Sequence, residues 1–211
     1  MDRAAWLELR KNGIGASDAS AVVGMNPYKT NVQLWEEKTG RREQEDISDK
    51  PYVKYGIEAE RPLRELFALD YPQYIVKYNE FDMHYHPQYR FIFATLDGRL
   101  TERETLRNGI YEGKTTEILR SMQYENWKDK IPDNYYVQVL HQFLATSFDF
   151  AVLKAQLKTV YRDGETRLNT RHYHIERSKV IEDIDWLLQE EIKFWKCVED
   201  GRKPNLILPP I

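Results

Sequence analysis

Only one cysteine, Cys197, occurs among 211 residues. A lone thiol excludes a disulfide framework, a structural zinc site and a four-thiolate iron–sulfur cluster held by this chain alone, and it fits a reducing cytoplasm. A cluster-bearing nuclease is therefore not expected. Long apolar runs are also missing. No stretch approaches the ~18 residues of a spanning helix, and residues 1–11 lack the apolar core of a signal peptide, so no membrane role is expected. Charge of one sign is scarce as well: 31 basic residues face 34 acidic ones, for a net charge of −3. That balance argues against a domain that coats nucleic acid non-specifically with its whole surface. It leaves room for a nuclease, whose active site must itself gather carboxylates, with any polyanion contact confined to a local basic patch. Repeats, low-complexity runs and long linkers are absent too, so the length reads as one ordinary domain.

What is present is an apolar content of 41% and an aromatic content of 13%, with fourteen tyrosines. Helices are expected over 4–11, capped by Asp2, and over 18–23, with Ser17 as N-cap, before the Gly24-Met25-Asn26-Pro27 break. Thr30 or Asn31 opens a third helix that Gly40 ends. The polar stretch 40–50 reads as a surface loop, and a helix over 56–68 meets Pro62, which cannot donate a backbone hydrogen bond. Strands are expected over 74–78, 91–96 and 109–114. A helix over 134–145 carries Val137, Leu140 and Leu144 at helical spacing. Residues 150–161 alternate, with Leu153, Ala155 and Leu157 on one face and a solvated Lys154, Gln156 and Lys158 on the other. Asp163-Gly164 turns this strand into 168–175, and a last helix spans 180–200 with Gly201 as its stop. The expected class is α/β (α+β): a single domain with a mixed central β-sheet flanked by helices.

The chemistry is concentrated in Leu96-Asp97-Gly98 and Glu112-Gly113-Lys114. Asp97 ends one apolar strand and Glu112 lies within the next, so a hairpin of these two strands would put both carboxylates at one end. The strand period of two points Glu112 and Lys114 to the same face. Two close carboxylates resist joint ionisation unless a cation lies between them, and an all-oxygen donor set suits a hard divalent ion, above all Mg²⁺. Such an ion polarises a phosphoryl oxygen and activates water, with Lys114 orienting that water or stabilising developing charge. The pattern is common, however. Glu-x-Lys on a strand is ordinarily a solvated pair contributing less than ~1 kcal/mol. The pairs His84/His86 and His172/His174 share strand faces without a third ligand nearby. Arg10 on a helix, Ser17 as a cap, a helical Glu60 and Gln138 at a sheet edge each have an equally plain reading alone.

The ordered set is more specific than its parts. It runs from Trp6-Leu7-Glu8-Leu9-Arg10 and Gly15-Ala16-Ser17-Asp18 through Asn26-Pro27-Tyr28 and Leu34-Trp35 to the Glu60 helix. It continues through Leu96-Asp97-Gly98, Glu112-Gly113-Lys114 and Tyr136-Val137-Gln138, and ends with Phe194-Trp195 and Gly201 before Pro204. Across nearly its whole length the chain resembles the YqaJ-type viral recombinases, relatives of lambda exonuclease in the PD-(D/E)XK nuclease superfamily. The resemblance implies a Mg²⁺-dependent exonuclease, with Mn²⁺ as a substitute, that degrades one strand of linear duplex DNA 5′→3′ to 5′-mononucleotides. The 3′ overhang would serve a single-strand annealing recombinase.

By the same resemblance Asp97 and Glu112 are metal ligands, with the Gly113 carbonyl as a third and Glu60 serving the same site. Lys114 acts on the attacking water, Gln138 braces Lys114 or that water, and Arg10 with Ser17 grips the 5′-terminal phosphate. A ring-like homotrimer around DNA is also implied. One departure stands out: Leu140 occupies the place where lambda exonuclease-like sequences often carry a second glutamine. A structure-dependent or nicking endonuclease on the same core and a catalytically idle DNA-binding module are the alternatives.

Overall fold

A computed structural model describes residues 2–119 and 121–208. In chain order its elements are α1 (Arg3–Lys11), β1 (Ile14–Gly15), α2 (Ala19–Val22), α3 (Asn31–Lys38), α4 (Pro51–Asp70), β2 (Tyr74–Lys77), β3 (Met83–Tyr85), β4 (Ile92–Thr95), β5 (Gly98–Glu102), β6 (Asn108–Glu117), α5 (Ser121–Glu125), α6 (Asp133–Thr146), β7 (Phe150–Val160), β8 (Thr166–Glu176) and α7 (Ile181–Glu199). The result is a mixed α/β single domain, as expected, but with two sheets in place of one. A small sheet has the order β1-β4-β3, and a larger one the order β2-β5-β6-β7-β8.

Local chemistry accounts for most boundaries. Asp2 accepts from the Ala5 amide at 2.8 Å and opens α1. Thr30 and Gln33 form a reciprocal capping box at the head of α3, which removes two orphan donors there. Gly40 follows α3 at φ +68°, a backbone state that favours glycine. Two expectations are corrected. Ser17 is not an N-cap; α2 starts at Ala19, with Asp18 in the cap position and its carboxylate engaged elsewhere. The fourth helix begins at Pro51, five residues before the expected start, because proline suits the first helical turn, and it runs on through Pro62.

The larger correction concerns the hairpin. Ile92–Thr95 does not pair with the Glu112 strand; it lies in the small sheet, parallel to β1 and antiparallel to β3. The antiparallel partner of β6 is β5, with Gly98 opposite Tyr111 and Leu100 opposite Gly109. Residues 98–102 read Gly-Arg-Leu-Thr-Glu, whose single apolar side chain hides a strand from pattern reading. Asp97 therefore sits where the chain leaves one sheet for the other. From β6 the chain crosses through α5 and α6 to β7, which pairs with β6 in parallel, and β8 closes the larger sheet antiparallel to β7.

The main core lies between the sheets' inner faces and α6, with Ile92, Ile110, Val139, Phe143 and Leu153 essentially unexposed. Cys197 is buried on α7 in a second cluster with Leu34 and Trp35, and its carbonyl accepts from the Trp35 indole at 3.1 Å. The alternation of β7 holds for Leu153, Ala155 and Leu157, but Lys154 is not solvated. Its side chain is buried under α4 and donates to the Leu63 carbonyl at 3.1 Å. Gln156 and Lys158 meet Tyr55 of the same helix. Among the described residues no helix is long and apolar enough to cross a membrane.

Candidate active site

Strand β6 delivers Glu112 and Lys114 to one face. Glu112 is buried, and its carboxylate is held by three donors: Lys114 Nζ at 2.5 Å and Gln138 Nε2 at 2.6 Å on Oε1, and Gln142 Nε2 at 2.5 Å on Oε2. The two glutamines lie four residues apart on α6 and so share a helix face. Gln138 thus braces the carboxylate that also holds Lys114. Gln142 was not anticipated, although the i, i+4 spacing would have found it. A glutamine at position 140 could not serve here, because Leu140 points into the core. The second amide is present, one helical turn beyond Gln138.

Asp97 approaches from the junction between the sheets and accepts from the Gly113 amide at 2.9 Å. A side chain at position 113 would stand 3.6 Å from the Tyr111 hydroxyl and 3.7 Å from Asp97 Oδ2, so its absence keeps the space between those groups open. Burial, and then the charge of Glu112, push the Asp97 carboxyl up to about 8, against the pull of Lys114 and the Gly113 amide. Glu60, on α4, is raised above the usual carboxylate range by burial and by Glu112. Burial works against the charge of Lys114, but Glu112 and Asp97 outweigh it and hold the ammonium firmly protonated.

Glu60, Lys114 and Thr115 line a cleft of about 240 Å³, walled on the α4 side by Val53 and Ile57. The three carboxyl groups outnumber the two cations that act on them, Lys114 and Arg64, and the Tyr111 hydroxyl is buried nearby with no hydrogen-bond partner. Hard oxygen donors, unbalanced charge and an unsatisfied hydroxyl fit a divalent cation better than an apolar or anionic ligand. Among the described residues no three His, Cys, Asp or Glu side chains form a ready metal cage. Glu60 thus neighbours the Asp97–Glu112 pair electrostatically.

At the other end of the constellation, Arg10 Nη2 donates to Ser17 Oγ at 3.1 Å. The guanidinium lies 4.7 Å from the Trp6 ring, and Trp6 is tied to Thr95 through its indole N–H at 3.1 Å. Among the described residues no carboxylate is in ion-pair contact with Arg10. Beneath it, Asp18 accepts from the Gly15 amide and pairs with Lys38 at 2.8 Å. Burial opposes the ionisation of Asp18, but Lys38 and then Arg10 hold its carboxyl down at about 2.

Residues 5–149 match the YqaJ-like viral recombinase domain. The chain belongs to that family. Its relative YqaJ of Bacillus subtilis (strain 168), itself uncharacterised, is 32% identical over 213 aligned residues, 98% of this chain. The chain spans 60% of the length of that YqaJ relative. The fold of this YqaJ-family chain is that of an alkaline exonuclease from Laribacter hongkongensis, with a TM-score of 0.67, 18% identity, and 94% and 93% of the two chains covered. The same enzyme in complex with dAMP superposes at a TM-score of 0.61 and 16% identity, over 94% of this chain and 93% of that one. A phage-related exonuclease from Haemophilus somnus 129PT superposes at a TM-score of 0.55 with 13% identity, over 90% of this chain and 96% of that one. These neighbours show that the chain shares their fold.

Proposed function

We propose that this protein is a metal-dependent deoxyribonuclease acting as a 5′→3′ exonuclease on the ends of linear duplex DNA. It would release 5′-mononucleotides and leave a 3′ overhang for an annealing recombinase in phage-type recombination. The observation that carries this reading is the Glu112 carboxylate, fixed by Lys114, Gln138 and Gln142 beside an Asp97 that burial, and then the charge of Glu112, push up to about 8. Membership in a viral recombinase family and the fold of two exonucleases support it.

Asp97 and Glu112 would hold Mg²⁺, or Mn²⁺ in its place, with the Gly113 carbonyl and Glu60 completing the site. When bound, the ion supplies a Lewis acid to the scissile phosphate and an acidified water. The amides of Gln138 and Gln142 keep Glu112 in one orientation, and Lys114, held at Glu112 Oε1, presents a protonated ammonium toward the cleft to orient water or balance charge on the phosphorane. Arg10 and Ser17 offer guanidinium and hydroxyl donors to a 5′-terminal phosphate, and among the described residues no carboxylate is in ion-pair contact with the guanidinium, whose charge acts on Asp18 only at a distance. A ring-shaped homotrimer in the cytoplasm would place this site beside a duplex threaded through it.

The test uses linear duplex DNA with and without a 5′-phosphate, beside closed circular plasmid, in Mg²⁺ or EDTA, with Lys114→Ala as control. Loss of the linear DNA alone, faster with a 5′-phosphate, absent in EDTA and absent in the variant, is expected. Cutting of the circle would make the protein an endonuclease. Binding to ends without cleavage would make it an idle module.

A further inference from the structure

His141 lies on α6 between the two glutamines that hold Glu112, and it is wholly buried, as is Glu191 on α7. Its Nδ1 is 2.6 Å from Glu191 Oε1, and its Nε2 is 2.9 Å from the carbonyl oxygen of Phe93 in β4. A carbonyl only accepts, so Nε2 donates to Phe93, and against an ionised Glu191 the Nδ1 donates as well, which makes the ring an imidazolium. Burial works against that charge, but Glu191 outweighs it and raises the histidine above its ordinary range. Stability alone gives no reason for this arrangement. A buried ion pair is commonly no better for stability than two apolar side chains of the same size, and Glu191 Oε2 has no hydrogen-bond partner. What the pair supplies is direction. Two short hydrogen bonds from one rigid ring to two different elements fix a rotation that apolar contacts would leave loose.

The elements joined are those that carry the site. β4 ends at Thr95, two residues before Asp97, while α6 presents the amides that orient Glu112. We propose that His141, clamped between Glu191 and the Phe93 carbonyl, is a positioning residue that fixes α6 against β4 and thereby sets Glu112 relative to Asp97. Its kinetic consequence rests on the nuclease reading above; its structural consequence, the hydrogen bonding of Gln138 and Gln142, does not.

The test is the double variant His141→Leu/Glu191→Met, which removes both charges together and keeps the space filled. The variant is expected to fold and to melt near the wild-type temperature. Its KM for 5′-phosphorylated linear duplex should stay within about twofold while kcat falls at least about tenfold, as a small misplacement of catalytic groups does. In ¹⁵N-labelled protein the side-chain amide signals of Gln138 and Gln142 should move toward those of free glutamine. A folded variant with wild-type kcat and unmoved amide signals overturns the proposal. If the double variant does not fold, His141→Asn keeps the donor toward Glu191, gives up the one toward Phe93, and is read in the same two ways. If the wild-type protein cleaves no DNA, the nuclease reading fails by itself and the amide signals alone decide the positioning role.

Discussion

Two groups of buried charge adjoin helix α6, and they are built on opposite terms. In one, the rear group, the charges are paired: Asp18 with Lys38, His141 with Glu191. There Asp18 is driven down to about 2 and His141 is driven up, so each group is more firmly charged in the fold than in water. In the other, the front group, Asp97, Glu112 and Glu60 share only Lys114 and the Arg64 guanidinium that acts on Glu60, and Asp97 is driven up to about 8. The first group is complete within the protein. The second lacks positive charge, and the fold bears the repulsion. Uncompensated carboxylates do not stabilise a domain, so the contrast supports the proposal that the front group serves a ligand and the rear group serves structure.

The strongest way to break the contrast is Asp97→Asn, which should move activity and stability in opposite directions. The carboxyl is raised from about 3.8 to about 8, so the cation-free fold is penalised progressively as pH rises between those values. Asparagine can still accept from the Gly113 amide without the charge. Mg²⁺-dependent cleavage should fall by about three orders of magnitude or more. In EDTA at pH 8 the variant should be more stable than wild type by at least about 1 kcal/mol in chemical denaturation. A variant less stable than wild type under those conditions would mean that the front group is not strained.

Gln142→Leu sharpens the same point on the helix itself. It leaves Glu112 Oε2 without its donor, and cleavage should drop about 10- to 100-fold in a standard digestion assay, with folding intact. Leu140→Gln should instead destabilise by about 1–3 kcal/mol, by burying an amide in the core, and gain no activity. Equal effects at the two positions would erase the distinction between the helix's two faces. These two residues also show how far the sequence carries. Glu112 and Lys114 are legible as a same-face pair because the strand period of two fixes it. Asp97 and Gln138 come in through the family resemblance, and Asp97 reaches that pair from the junction of the two sheets, not from a hairpin. Gln142 obeys the helical rule, one turn beyond Gln138, and the i, i+4 spacing makes it equally legible. Other features depend on partners distant in sequence. Strand β5 has one apolar side chain and exists because Leu100 packs with Phe67 and Tyr111. Lys154 looked solvated because its neighbour α4 could not be placed, and the Glu191–His141 pair joins residues fifty positions apart. Local pattern identifies elements and faces; it does not say which face a distant helix will cover.

The rear group gives the opposite pH signature to Asp97. A depressed carboxyl contributes stability that is fully present above its unfolded value, near 3.8, and is lost as pH falls through about 2. Asp18→Asn should therefore cost at least about 2 kcal/mol at pH 7, where it also leaves Lys38 without its carboxylate. The deficit should shrink between pH 4 and pH 2, as wild type loses the same interaction. Urea titrations of both proteins across that range measure it. A deficit independent of pH would show that Asp18 acts through packing and not through its charge.

Arg10 stands at the border of the rear group, and its expected effect is the smallest. It contributes to holding Asp18 ionised, but less than Lys38 does, and its own charge is met by a hydroxyl and an aromatic face. If that incomplete pairing exists for a terminal phosphate, Arg10→Ala should cost little stability, under about 1 kcal/mol at pH 7. It should lower the preference for 5′-phosphorylated over unphosphorylated ends by about tenfold, the worth of one charge-assisted contact. Cleavage of unphosphorylated ends should persist, because Asp97, Glu112 and Lys114 are untouched. Equal loss on both kinds of end would assign Arg10 to the paired, structural group after all, since a residue that merely supports Asp18 has no means of sensing what the DNA end carries.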